Sequence, residues 1–241
     1  MANTYFQFKQ FTVHQDKAAM KVSTDACIQG AIAAQYWQKK NPGKILDIGS
    51  GTGLLSLMLA QHLTKSELTA IDIEEQAFMQ TRDNFAQSPW QQRLQALHSS
   101  LQSFGNDTYF DAIICNPPFF HKHLNSQENN RNMARHDEGL NKSVLAKSIH
   151  DLLQESGSCC LLYPATEWAA WTLAAREQEL YPEHTVYIQP YEHKAANRVI
   201  GFFSRHKQAA PTTAQLTIYA DTGKTYTPQF IALLQTYYMN L

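Results

Sequence analysis

The sequence is poor in most of the features that would place it outside the ordinary globular classes. It has 4 cysteines in 241 residues, none in a Cys-x-x-Cys pair, so neither a thiolate zinc site nor a dense disulfide framework is written into it. Cys27, Cys115, Cys159 and Cys160 read as core filler in a reducing compartment. Glycine (10) and proline (9) are scarce, which excludes collagen-like and low-complexity chains. No apolar run approaches the ~18 residues of a membrane helix. The start, MANTYFQFKQ, lacks the basic and apolar regions of a secretory signal. The expectation is a cytoplasmic protein with no membrane partner. An excess of one charge is also missing. Twenty Lys+Arg stand against 21 Asp+Glu, a net charge of −1, which argues against a strongly basic nucleic-acid coat.

What is present is an alternation of short apolar runs and helical patterns. Strands are expected at 44–48, 67–73, 93–98, 110–115, 158–163, 184–189 and 197–205, with helices near 53–63, 75–87, 141–154 and 166–180 between them. Such alternation builds parallel βαβ units, and two closing strands without a helix between them suggest an antiparallel edge strand. Residues 1–40 read as an N-terminal extension with one helix over about 24–38, capped by Ser23 or Thr24. Residues 41–241 read as the main part of what is a single domain overall.

The first strand runs into Asp47-Ile48-Gly49-Ser50-Gly51-Thr52-Gly53. Glycines at a strand-to-helix turn let a ligand approach the backbone at a helix N-terminus. The spacing is D-x-G-x-G-x-G, not the G-x-G-x-x-G of dinucleotide enzymes, which argues against an NAD-dependent oxidoreductase. A leading carboxylate would repel a pyrophosphate but could hold an ammonium group. Asp72, at the end of the second strand, could accept hydrogen bonds from both hydroxyls of a ribose, with Glu74 as its substitute. An amino group, a ribose and no phosphates fit S-adenosylmethionine. Ser99-Ser100 ends the third strand, which makes Ser100 a candidate cofactor contact.

Asn116-Pro117-Pro118-Phe119 follows the fourth strand directly, 69 residues after Asp47. Ligands bind at the carboxyl edge of parallel sheets, so the two loops should share one crevice. A conjugated exocyclic amine is a poor nucleophile. The Asn116 side-chain oxygen and the Pro117 carbonyl can each accept one of its N–H groups, holding its lone pair toward a methyl donor. The prolines, Pro118 included, stiffen the loop, and Phe119 offers a flat face to a planar group.

Together the motifs resemble class I S-adenosylmethionine-dependent methyltransferases acting on planar amino groups. FQFKQFTVHQDKAAMKVSTDACIQGAIA, SPW (88–90), NPPFF (116–120), RNMARH (131–136) and YTPQFIALLQTYYMNL (226–241) resemble the bacterial tRNA1(Val) (adenine(37)-N6)-methyltransferase family nearly end to end. The resemblance implies a Rossmann-like, mostly parallel seven-stranded sheet with helices on both faces. It implies methylation of N6 of the adenosine 3′ of the anticodon in a valine tRNA. It also implies that Lys21, Thr24 and Asp25 lie near the methionine end of the cofactor, and that Asp47, Gly49, Gly51 and Asp72 line its site. Gly53 completes the glycine loop. The chain departs from the family pattern at Ser23, where glycine is usual, and at Ala26-Cys27-Ile28-Gln29-Gly30, where Gly-Ile-Leu-Leu-Gly is usual.

Other readings use the same loop: N2-methylation of an rRNA guanine, methylation of a protein glutamine, or a non-catalytic cofactor-binding module. His121-Lys122-His123 suggests a metal, but no cysteine or carboxylate cluster completes a site, so no metal is expected. Lys122, Arg131, Arg135 and Arg198 are candidate contacts for tRNA phosphates. The four tryptophans, Met20 and Met58 read as packing residues. Positive charge collects in residues 1–40, 116–150 and 191–207, and all three segments could lie toward the catalytic edge. A monomer acting on the anticodon stem-loop is expected.

Overall fold

A computed structural model describes residues 3–105, 108–118, 141–220 and 225–241. The chain opens with a small antiparallel hairpin, β1 (Tyr5–Gln7) and β2 (Thr12–His14), in which Phe6 pairs with Val13. Helix α1 (Thr24–Gln38) starts at Ser23, whose side chain accepts from the Ala26 amide. Its small residues Ala26, Ala31, Ala33 and Ala34 are buried, so α1 packs closely against α2 (Leu54–His62) and the sheet. At its far end Trp37 Nε1 donates to Ser158 Oγ at 2.9 Å.

The main sheet takes β3 (Lys44–Ile48), β4 (Glu67–Asp72), β5 (Leu94–His98), β6 (Phe110–Cys115), β7 (Leu153–Pro164), β8 (Tyr181–Gln189), β9 (Arg198–Ser204) and β10 (Thr212–Thr217). Their order is β10-β8-β9-β7-β6-β3-β4-β5. Helices α3 (Glu75–Ala86), α4 (Lys142–Leu152), α5 (Trp168–Glu177) and α6 (Pro228–Leu234) complete the layers. Alternation along β3 sends Ile45 and Asp47 to one face and Leu46 and Ile48 to the other. The first face packs under α1, α2, α3 and α6, the second under α4 and α5. Both cores are therefore apolar layers against a mostly parallel sheet.

Two expectations about the sheet need correction. Among the described residues it has eight strands, not seven, and the antiparallel strand is not at an edge. β9 lies between β7 and β8, antiparallel to both, while the edge strand β10 runs parallel to β8. β10 escaped notice because TTAQLT is mostly solvent-exposed and polar, as an edge strand can be. Met20 is also corrected, being 53% exposed rather than packed. Trp37, Trp171 and Met58 are fully buried, as are all four cysteines.

The strand order reverses beside β3. The chain proceeds to β4 and β5 on one side and to β6 and β7 on the other. The two motif loops leave the carboxyl ends of β3 and β6, which are neighbours in register, with Asp47 opposite Ile114. This is the crevice where ligands bind in open α/β sheets.

Candidate active site

Gly49, Gly51 and Gly53 all adopt left-handed φ, at 69°, 59° and 77°. An L side chain is strained there. The alternation folds the loop back on β4, where Gly49 N and Ser50 N both donate to Ile71 O. A Cβ on Gly49 or Gly51 would meet nothing within 4 Å, whereas one on Gly53 would come within 2.7 Å of Phe85 Cε1. The first two glycines thus leave an open cradle, and the third lets α3 pack against the loop.

Helix α3 holds this loop through buried polar groups. Thr81 Oγ1 donates to Gly51 O at 3.1 Å and lies 3.1 Å from Ser50 Oγ. Asn84 Nδ2 donates both to Thr52 O and to His14 O, and Asn84 Oδ1 accepts from His14 N. One asparagine therefore fastens the N-terminal hairpin to the glycine loop.

Asp72 Oδ2 accepts from Gly51 N at 2.8 Å and Oδ1 from Glu74 N at 3.0 Å. Each oxygen keeps a further lone pair for a ligand. Next to it Ile73 is 60% exposed, an apolar surface beside the cradle that no periodicity signal marked. Asp47 is fully buried. Its Oδ2 accepts from Ser56 Oγ at 2.7 Å and Ser56 N at 3.2 Å, while Oδ1 has no partner among the described residues. Burial pushes the Asp47 carboxyl up to about 7, against the bonds from Ser56. Ser100 Oγ, 2.7 Å from Ser103 Oγ, accepts from Ser103 N. Its hydroxyl thus organises the turn after β5, which Ser99 N joins to Asp72 O.

At the end of β6, Asn116 is half-buried, Pro117 buried and Pro118 exposed. Asn116 Oδ1 is a buried acceptor with no partner among the described residues. It shares a strand face with Ile114, hence with Asp47 across the β3–β6 ladder. Phe119, Lys122, Arg131 and Arg135 lie outside the described residues, as do His121 and His123.

The N-terminal turn of α1 meets the same edge. Arg198 Nε donates to Asp25 Oδ2 at 2.8 Å, an ion pair between α1 and the start of β9. Lys21 and Thr24 are exposed beside it, Lys21 Nζ 3.4 Å from Asn3 O. Arg205 and Lys207 do not join them. Because β9 is antiparallel, it carries Arg198 at the carboxyl edge and Arg205 at the opposite one, beside Glu155. The last strands therefore place only part of their positive charge at the crevice.

Among the described residues, no group of three or more His, Cys, Asp or Glu could hold a metal. None of their helices is long and apolar enough to cross a membrane.

The sheet order and the two loops at its reversal define the class: a Rossmann-like methyltransferase domain. Residues 28–140 match the Methyltransferase small domain family. Over 98% of its length the chain is 39% identical to a tRNA1(Val) (adenine(37)-N6)-methyltransferase of Dyadobacter fermentans, covering 98% of that protein. It is 37% identical to the Vibrio campbellii enzyme of the same name, across 98% of this chain and 96% of that one. The chain belongs to the tRNA1(Val) (adenine(37)-N6)-methyltransferase family. Among solved structures, a predicted O-methyltransferase of Agrobacterium tumefaciens superposes with a TM-score of 0.65 at 18% identity, covering 90% of this chain and all of the other. A TehB-like SAM-dependent methyltransferase of Corynebacterium glutamicum gives 0.52 at 15% identity, over 73% and 88% of the two chains. At these identities the likeness is one of fold.

Proposed function

We propose that this chain transfers the methyl group of S-adenosylmethionine to N6 of the adenosine 3′ of the anticodon in tRNA1(Val). The observation that carries the reading is Asn116 Oδ1, a buried acceptor lacking a donor among the described residues, at the end of the strand beside an open glycine cradle. An exocyclic amine supplies the missing N–H. Likeness to relatives bearing that enzyme's name supports adenine in tRNA as its source.

S-adenosylmethionine bound at the cradle supplies an electrophilic methyl group on a sulfonium sulfur. The cradle fits such a group. Gly49 and Gly51 present bare backbone, and Asp47 keeps an unpaired buried oxygen for an ammonium. Asp72 accepts ribose hydroxyls while holding Gly51, and Ile73 covers an adenine face. Lys21 and Thr24 border the methionine end, and Ser100 the adenine end.

Asn116 Oδ1 and the Pro117 carbonyl each accept one N–H of the target amine. They hold its lone pair toward the methyl and favour the charge that develops on nitrogen. Transfer would exchange the cofactor's S–C bond for the new N–C bond, and the amine held by Asn116 Oδ1 and the Pro117 carbonyl would give up one proton to solvent, so no separate base is needed. Phe119 stacks on the base in this reading. Lys122, Arg131, Arg135 and Arg198 are the proposed phosphate contacts, so binding should weaken as salt rises. Residues 1–40 act as part of the same domain, which is supported by the burial of Phe8 and of α1 in one core. A tRNA substrate supports a cytoplasmic site of action, and the enzyme is proposed to act as a monomer.

The test is incubation with labelled S-adenosylmethionine and unmodified bulk tRNA, rRNA and protein. Label is expected in N6-methyladenosine of tRNA. Label in rRNA or protein and none in tRNA overturns the reading.

A further inference from the structure

Gln29, one of the residues at which the chain departs from the family pattern, is completely buried in α1. Its Nε2 donates to Cys115 O at 2.8 Å, with a longer contact to Cys160 O at 3.5 Å. Its Oε1 is buried and has no partner among the described residues. A half-satisfied amide is a poor choice for stability alone, since an apolar side chain of similar size would bury no orphaned oxygen.

Cys115 is the last residue of β6, and its carbonyl belongs to the peptide plane that leads into Asn116. A hydrogen bond on that carbonyl fixes the plane from which the Asn116 side chain departs. On the other side Pro117 restricts Asn116 to extended backbone. Asn116 is thus restrained from both directions, by a covalent ring after it and by the Gln29 amide before it. The bond also joins two halves of the site. Gln29 lies one helical turn after Asp25, which is paired with Arg198, so the first two turns of α1 are tied both to the start of β9 and to the end of β6.

We propose that Gln29 is a positioning residue for methyl transfer, acting through the Cys115 carbonyl to orient Asn116. The inference rests on Asn116 being the group that holds the target amine. Positioning acts on the chemical step, because small displacements of a group aimed at a reacting atom cost rate more than binding.

Three forms of the full chain decide it: wild type, Gln29→Leu and Gln29→Glu. Wild type is assayed first on bulk tRNA. Failure to label tRNA counts against the functional reading, and the variants are then compared on the acceptor that is labelled. Gln29→Leu removes the donor and should lower kcat on the order of tenfold. KM for the acceptor and the Kd for S-adenosylmethionine should stay within about twofold, and the melting temperature within a few degrees. Gln29→Glu tests the bond itself. Its carboxyl, buried and so ionising late, can donate O–H to Cys115 O only while protonated. Its kcat should approach wild type near pH 6 and fall about tenfold by pH 9, relative to wild type at each pH. Wild-type kcat in Gln29→Leu overturns the proposal. So does a Gln29→Glu profile that parallels wild type, or a joint loss of kcat, cofactor affinity and melting temperature in both variants.

Discussion

Asp72 Oδ2 accepts the Gly51 amide at 2.8 Å, so the acid that ends β4 holds the middle of the glycine loop in place. The two motifs, 21 residues apart in sequence, form one unit before any ligand arrives. Its Oδ1 does the same for the turn into α3 through Glu74 N. Asp72→Ala would leave two backbone donors without their charged acceptor, costing about 2–3 kcal/mol of stability. The Kd for S-adenosylmethionine, read by calorimetry, should rise at least tenfold. An unchanged Kd would remove Asp72 from the cofactor site.

Asn116 makes a cleaner separation of binding from chemistry. Its Oδ1 has no partner among the described residues, so little folding energy depends on it. Asn116→Ala should reduce kcat by about 10²–10³, the usual effect of deleting a group aimed at developing charge. Cofactor affinity should stay within about twofold. Parallel loss of turnover and cofactor affinity would make the residue structural.

The glycines of the loop should respond differently to the same substitution. Gly49→Ala meets no atom within 4 Å, so its cost is the left-handed backbone alone, about 1 kcal/mol. Its main effect should be on cofactor binding, because the new methyl enters the cradle. Gly53→Ala adds a Cβ 2.7 Å from the buried Phe85 ring to the same backbone strain. It should lose about 2–4 kcal/mol in denaturant unfolding. Equal destabilisation by the two would show that the cradle is not open.

Asp47 predicts a pH dependence of stability. Burial raises its folded carboxyl to about 7 from the ordinary 3.8. Between those values the folded state binds more proton than the unfolded state. The contribution is therefore complete below about pH 4 and is lost as pH rises through about 7, with a slope of at most about 1.4 kcal/mol per pH unit. Asp47→Asn should remove that slope from unfolding curves measured between pH 4 and 8. If the variant and wild type keep the same slope, Asp47 is not the group that titrates.

Local chemistry made much of this protein legible in its sequence. KILDI and FDAIIC are short apolar strands with little competing pattern, and the three alternating glycines permit the left-handed φ that the tight turn requires. Ser23 was readable as a cap because its hydroxyl answers a donor three residues away. Such features depend on neighbours along the chain, so residue order is enough to specify them. β10 did not stand out, because an exposed polar edge strand carries no apolar period and owes its place to pairing with β8.

Tertiary structure decided which polar groups are spent on the fold and which are left for a ligand. Asp47 divides its carboxylate between Ser56 and an unpaired oxygen, and Asn84 joins a hairpin 70 residues away to the glycine loop. Gln29 reaches a carbonyl 86 residues distant, and Arg198 and Arg205 part to opposite edges because β9 runs against its neighbours. These relationships exist only once distant segments pack together. Burial and strand direction then set the partner of each group, and neither is a property of a residue's neighbours in sequence.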